Sequence, residues 1–209
     1  MNLTTVLATK LFIFIMAFLA PSKYDVKYEN PDDRKARMEI VAESVATAAH
    51  KATCTEQYKT PGCKRLYGGS PEMLAMIVLK FGYQESNLAE YVHSNRCGKP
   101  DDELYEKFKF RCDSYYNKKR ELKHRAIGLW QLHASSGFLP QEIWEKMGEP
   151  TLESTELQVL YATKRIAGLV NAVGLENSFK VYNNRPRDSK WITATRNANW
   201  VNVNVGKLY

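Results

Sequence analysis

The sequence predicts an all-α protein, and three observations carry that prediction. Apolar residues recur at helical spacing over long stretches, helix start signals stand where those stretches begin, and no set of period-2 strands, internal repeat or low-complexity tract breaks them up. The chain has 209 residues, 44% hydrophobic and 25% charged, so it can bury a real core and is neither collagen-like nor wholly disordered. A typical domain has roughly 150 residues, which makes one compact body with appended segments the economical organisation.

Residues 1–22 read as an addressing segment. Lys10 precedes the unbroken apolar stretch Leu11–Ala20, and Pro21, Ser22 and Lys23 follow it. That stretch is half of the roughly 20 residues a spanning helix needs and has the length of the core of an export signal. Ala20 and Ser22 supply small residues for a cut before Lys23. Retention as a membrane or assembly anchor, with residues 6–20 touching lipid, is the alternative, and a buried helix of the fold is the third reading.

Residues 23–69 form a lead-in. Met38, Val41, Val45 and Ala48 or Ala49 fall at helical spacing between Arg34 and Ala52, with charge on the other side. Cys54 and Cys63 then bracket a Thr-Pro-Gly turn, and further on Cys97 and Cys112 bracket a Lys-Pro-Asp-Asp segment. Each pair is spaced to close a local loop. Two disulfides imply an oxidising compartment, in agreement with export to a periplasm or cell envelope. Zinc is the weaker reading, because no Cys-x2-Cys or tight Cys/His spacing occurs.

The remaining residues, 70–209, contain the main body. Ser70 is suited to cap a helix, Pro71 to its first position and Glu72 to its positive end. Met73–Phe81 is apolar nearly all round, which predicts a central buried helix. The polar run Gly82–Asn87 ends it, so Glu85 emerges on the last turn. Residues 99–125 are charged and tyrosine-rich and read as a surface insertion with one helix. Two more helices are predicted over Pro140–Met147 and Glu153–Val173, while the Asn-, Thr- and Val-rich tail from Lys190 carries no clear pattern.

Thirty Lys and Arg against 23 Asp and Glu give a net charge of +7, which suits a polyanionic partner: nucleic acid, an acidic membrane or an anionic cell-wall polymer. No phosphate-binding Gly-rich loop occurs, so nucleotide chemistry is unsupported. His93 beside Ser94 lacks the Gly-x-Ser-x-Gly frame of a hydrolase nucleophile. Two other stretches do point to chemistry. A carboxylic acid at the mouth of an apolar helix loses hydration of its charged form, so it holds its proton near neutrality and can act as a general acid. The Gly128-Leu129-Trp130-Gln131 turn adds an indole and an amide, and flat rings with amides are what a sugar site offers to pyranose faces and N-acetyl groups.

In order, Glu85-Ser86, Gly128-Leu129-Trp130-Gln131 and Val181-Tyr182-Asn183-Asn184 resemble the three motifs of the soluble lytic transglycosylase and goose-type lysozyme superfamily: Glu-Ser, Gly-Leu-Met-Gln and Ala-Tyr-Asn-Ala/Gly-Gly. The resemblance spans residues 70–209 and implies a lysozyme-like helical fold that cleaves the MurNAc-GlcNAc bond of peptidoglycan without metal or organic cofactor. It makes Glu85 the catalytic acid/base and Ser86 its hydrogen-bonding neighbour. Gly128 lets the backbone approach the glycan, Leu129 packs beneath, Trp130 enlarges an aromatic wall and Gln131 contacts substrate. Tyr182 reaches toward Glu85, and Asn183 supports its turn. Departures from the pattern are Trp130 for methionine, Asn184 for a small residue, and Arg185-Pro186 where glycine is usual. Glycosidases ordinarily use two carboxylates. The family manages with one, and nothing favours Glu90 or Asp113 as a second, so an anhydro-forming lyase is expected over a true lysozyme. The settings implied are a phage virion, beside tail or ejection proteins, and an envelope-spanning machine, with no specific nucleic acid. A non-catalytic basic virion or structural protein is the rival from another class.

Overall fold

The computed structural model describes residues 2–94, 103, 105–108, 114–116, 118–120, 122–124, 126–133, 143, 146–147, 151–182 and 187–209. The chain is mostly helical. Long helices α1 (Leu3–Phe18), α3 (Pro31–Thr53), α4 (Pro71–Ser86), α7 (Leu152–Tyr182) and α8 (Arg187–Val205) carry the core. Short helices α2 (Asp25–Tyr28), α5 (Glu90–His93) and α6 (Tyr105–Phe108) lie between them.

Local chemistry explains the two central helices. The Asn30 side chain accepts from Asp32 N at the start of α3, Pro31 takes the first position, and Asp32 and Asp33 face the positive end. Its Met38, Val41, Val45 and Ala49 are buried against α1, α4 and α7. In α4 the Ser70 hydroxyl accepts from Met73 N at 3.2 Å, and every residue from Leu74 to Leu79 is buried together with Phe81. Asn87, in the left-handed conformation that asparagine tolerates, closes this helix.

The run α7 extends beyond its sequence pattern, to Tyr182, as two helical segments that meet at a kink: Gly174 takes the non-helical φ 79° and ψ 165°, and the chain turns there before the second segment begins. The bend brings Phe179 and Tyr182 back into the core. The Asn-, Thr- and Val-rich tail belongs to α8, whose Ala194, Ala198 and Val201 are buried, followed by a 3₁₀ turn, Gly206–Leu208.

Residues 1–22 are not set apart from this body. Leu7, Leu11, Phe14, Ile15 and Leu19 belong to the same hydrophobic cluster that runs to Leu208, and α1 lies along α3. Phe14 meets Trp200 edge-on at 5.6 Å, and the Thr4 hydroxyl reaches Gln57 and Tyr58. An apolar run of this length serves a core helix as well as an export signal, and here α3 supplies its partner surface. Among the described residues no helix is long and apolar enough to cross a membrane. The lead-in likewise contributes a central helix, α3, so the expected boundaries at 22/23 and 69/70 do not separate cores.

The 99–125 stretch departs from its expected single helix. Beside α6 it forms an antiparallel pair, β1 (Ser114–Tyr116) with β2 (Leu122–His124), in which Ser114 faces His124 and Tyr116 faces Leu122. Three-residue strands are too short for alternation to register in sequence. Of the predicted Pro140–Met147 helix only residues 143, 146 and 147 are described.

Cys54 and Cys63 form a disulfide across a separation of nine residues. Closing a loop of that size stabilises by about 2–3 kcal/mol on chain-entropy grounds. Reduction should lower the unfolding free energy by that amount in a denaturant titration. Cys97 and Cys112 lie outside the described residues.

His93 is fully buried, and one ring nitrogen hydrogen-bonds the Thr155 hydroxyl at 2.7 Å. Burial, and secondarily the nearby Arg37 cation, hold its pKa well below the ordinary value. The unfolded chain therefore takes up a proton near pH 6.5 that the folded chain refuses. Stability is full above that pH and falls as the pH drops below it, by up to about 1.4 kcal/mol per pH unit. His93→Gln keeps a hydrogen-bonding side chain toward Thr155 without a titrating ring. It should flatten the loss of melting temperature between pH 7 and pH 5, leaving the smaller share of His50, whose pKa burial also lowers.

Candidate active site

Three separated pieces of chain converge at the C-terminal end of α4. Phe81 stacks on Phe179 of α7 with ring centroids 4.1 Å apart, and its other ring neighbour is Tyr182 at 4.8 Å. Gly82 leaves room for the third piece: a Cβ there would stand 3.0 Å from Trp130 Nε1. The Trp130 indole donates to Val78 O of α4 at 2.8 Å, and the Tyr182 hydroxyl donates to Trp130 O at 2.7 Å. Residues 78, 130 and 182, each 52 apart in the chain, are thus tied by two buried hydrogen bonds.

Glu85 stands on the last turn of α4, half-buried, with its Oε1 shielded from solvent. Its charge bears on Tyr182, whose hydroxyl pKa is pushed up chiefly by burial, with Arg165 opposing and Glu85 adding to the rise. The phenol stays protonated at any working pH. The Arg165 guanidinium lies 4.5 Å from the Tyr182 ring centroid. On the other side, Asn197 of α8 donates to the amide oxygen of Gln84. The site thus holds a half-buried carboxyl group beside a neutral hydroxyl and a cation.

The residues 127–132 form a tight turn closed by paired backbone hydrogen bonds between Ile127 and Leu132. Gly128 has φ +72°, and a Cβ on it would fall 2.2 Å from Gln158 Oε1. The same oxygen accepts from Leu129 N at 3.0 Å. The room at Gly128 is therefore taken by Gln158 of α7, which corrects the expectation that the glycine admits a glycan to the backbone. Leu129 is fully buried. Trp130 is also fully buried, so it is a core residue and not the cleft wall expected of it; an indole cannot face both a sugar and Val78. Gln131 is partly exposed, in the left-handed region at φ 47°, and its side-chain amide donates to Gly128 O at 3.0 Å.

The Ser86 hydroxyl donates to Gly82 O at 2.9 Å and accepts from Leu88 N at 3.1 Å, so both of its bonds go to backbone at the helix end and not to a neighbouring site group. Asn183, Asn184 and Asp113 lie outside the described residues. Glu90, weighed as a second carboxylate, lines a cavity of about 270 Å³ with Tyr28, Asn30, Asp33 and Arg37. Arg165, Gln158 and Asn197 carried no sequence signal, since each reads as an ordinary polar position on a helix. Among the described residues no group of three or more His, Cys, Asp or Glu is placed to hold a metal ion.

The fold and site define a helical protein that gathers a carboxylic acid, a neutral tyrosine and a glycine-centred turn at the end of its central helix. No protein-family model, curated protein or solved structure matches the chain.

Proposed function

We propose that the protein is a peptidoglycan lytic transglycosylase with Glu85 as its single acid/base. The observation that supports this most is the convergence described above: the helix that carries Glu85-Ser86, the Gly128–Gln131 turn and Tyr182 are joined by the Trp130–Val78 and Tyr182–Trp130 hydrogen bonds, and the Glu85 charge bears on Tyr182. In this reading Glu85, protonated, donates to the glycosidic oxygen as the MurNAc C1–O bond breaks. The N-acetyl group stabilises the cationic centre. The resulting carboxylate then takes the proton of the MurNAc 6-hydroxyl, whose oxygen attacks C1 and closes a 1,6-anhydro ring. Tyr182, kept neutral, and the Arg165 cation shape the field at the carboxyl group, and partly exposed Gln131 is the member of its turn able to meet substrate. The net charge of +7 favours adhesion to an anionic envelope and takes no part in cleavage.

Incubation with purified sacculi tests this directly. The protein should lower their turbidity and release soluble glycan; sacculi left intact under conditions where the protein is folded contradict the proposal. An export-signal or anchor role for residues 1–22, and a phage or envelope-machine setting, belong to the same proposal. Sequencing the N-terminus of the protein recovered from virions or periplasm decides between cleavage before Lys23 and retention of the packed helix.

A further inference from the structure

The chain leaves α4 through an unusual turn. Asn87 and Leu88 are consecutive left-handed residues, at φ 53° and 52°. Asparagine tolerates this region; a buried leucine does so only when its surroundings hold it there. Leu88 is 1% exposed and packs its side chain back toward Gly82, beneath the turn that carries Glu85. Three bonds pin the segment. Ser86 Oγ accepts from Leu88 N, Arg37 Nη1 donates to Leu88 O at 2.8 Å, and Asp25 Oδ1 accepts from Glu90 N at 2.9 Å.

The last two bonds come from a buried ionic cluster built by α2 and the start of α3. Arg37 holds Glu29 through two parallel bonds, Nε to Oε1 at 2.6 Å and Nη2 to Oε2 at 2.8 Å, and its Nη2 lies 3.6 Å from Asp25 Oδ2. Arg34 lies 3.4 Å from the same oxygen. The side chains of Asp25, Glu29 and Arg37 are each no more than 4% exposed. Ser22 Oγ accepts from Asp25 N at 3.0 Å and orients the element. A buried set of two acids and two arginines has every member tied to another, and replacing one strands the rest. Stability alone does not require that this set end on two backbone groups of the one strained turn. An apolar contact would bury as much surface without dictating where Leu88 O and Glu90 N stand.

We propose that Arg37 and Asp25 are positioning residues for Glu85: they clamp the left-handed Asn87–Leu88 turn and thereby set the last turn of α4. This rests on reading Glu85 as the catalytic acid/base, and it gives the lead-in helix a part in the chemistry, by way of the backbone, that neither residue's own side chain performs on substrate. Arg37→Met removes the donor to Leu88 O. Asp25→Ala removes the acceptor for Glu90 N, whereas Asp25→Asn retains an oxygen there.

The test combines hydrogen exchange at the amides of Leu88, Ala89 and Glu90 with kcat, KM and the pH profile on soluble peptidoglycan oligomers. The clamp predicts that Arg37→Met lowers kcat 10- to 100-fold with KM within about twofold, loses at least tenfold of exchange protection at those amides, and shifts the pH limb lost in Glu85→Gln. Asp25→Asn should exceed Asp25→Ala in kcat at least fivefold. A folded Arg37→Met with a lowered melting temperature and the wild-type kcat and pH profile overturns the clamp. If Arg37→Met does not fold, equal kcat values for Asp25→Asn and Asp25→Ala overturn it. Should the wild type cleave no glycan, the functional reading fails separately, and wild-type exchange at residues 88–90 in the folded variants still decides the clamp.

Discussion

Replacing Glu85 by glutamine should leave the protein folded and lower glycan cleavage by a factor on the order of 10²–10⁴, the usual contribution of a positioned acid/base. Glutamine matches the carboxyl group in shape but has no acidic proton to give and no basic oxygen with which to take one back. Because one group serves both half-reactions in the proposed scheme, its loss stops both. The helix end is closed by Asn87 and by the Ser86 hydroxyl, neither of which depends on the Glu85 charge, and glutamine keeps the size and polarity of the side chain. Circular dichroism and a thermal melt establish that the variant is folded, and the rate of soluble glycan release from sacculi gives the loss. A variant cleaving within threefold of wild type would remove Glu85 from the mechanism.

Gly128→Ala should be the most damaging conservative substitution in the turn. The residue sits at φ +72°, where any side chain costs roughly 1–2 kcal/mol. The new methyl group would also fall 2.2 Å from Gln158 Oε1 and force that side chain off Leu129 N, leaving a buried amide without its acceptor. Such a loss adds roughly 1–3 kcal/mol, for a total of about 2–5 kcal/mol in urea or guanidinium titration. Gly168, in the middle of α7 with no atom within 4 Å of its added Cβ, is the control. There alanine should stabilise, by up to about 1 kcal/mol. Equal effects at the two positions would refute the packing account of the turn.

What sequence made legible was local chemistry. The start of α4 follows from Ser70, Pro71 and Glu72, its burial from the seven consecutive apolar residues Met73–Leu79 with Phe81, and the emergence of Glu85 at its end from the polar run that follows. What it could not show were partners. The apolar run Leu11–Ala20 has one composition whether it is exported or packed on α3, and only the surface of α3 distinguishes the two. The Trp130 indole read as a cleft wall because tryptophan lines sugar sites; its donor contact to Val78 O, 52 residues away, puts it in the core instead. Arg37 and Leu88 are separated by 51 residues, and no periodicity announces that one guanidinium will hold the turn after Glu85. The third motif rests on Val181-Tyr182-Asn183 with departures at 184–186, and the Tyr182 hydroxyl bond to Trp130 O ties it to the Gly128–Gln131 turn.

The central claim is a reaction, and its product carries the answer. Mass spectrometry of muropeptides released from sacculi by the wild type and by Glu85→Gln should show 1,6-anhydro-MurNAc ends with the former and no release above background with the latter. Reducing MurNAc ends from the wild type, or anhydro ends produced by the glutamine variant at the wild-type rate, would contradict the account.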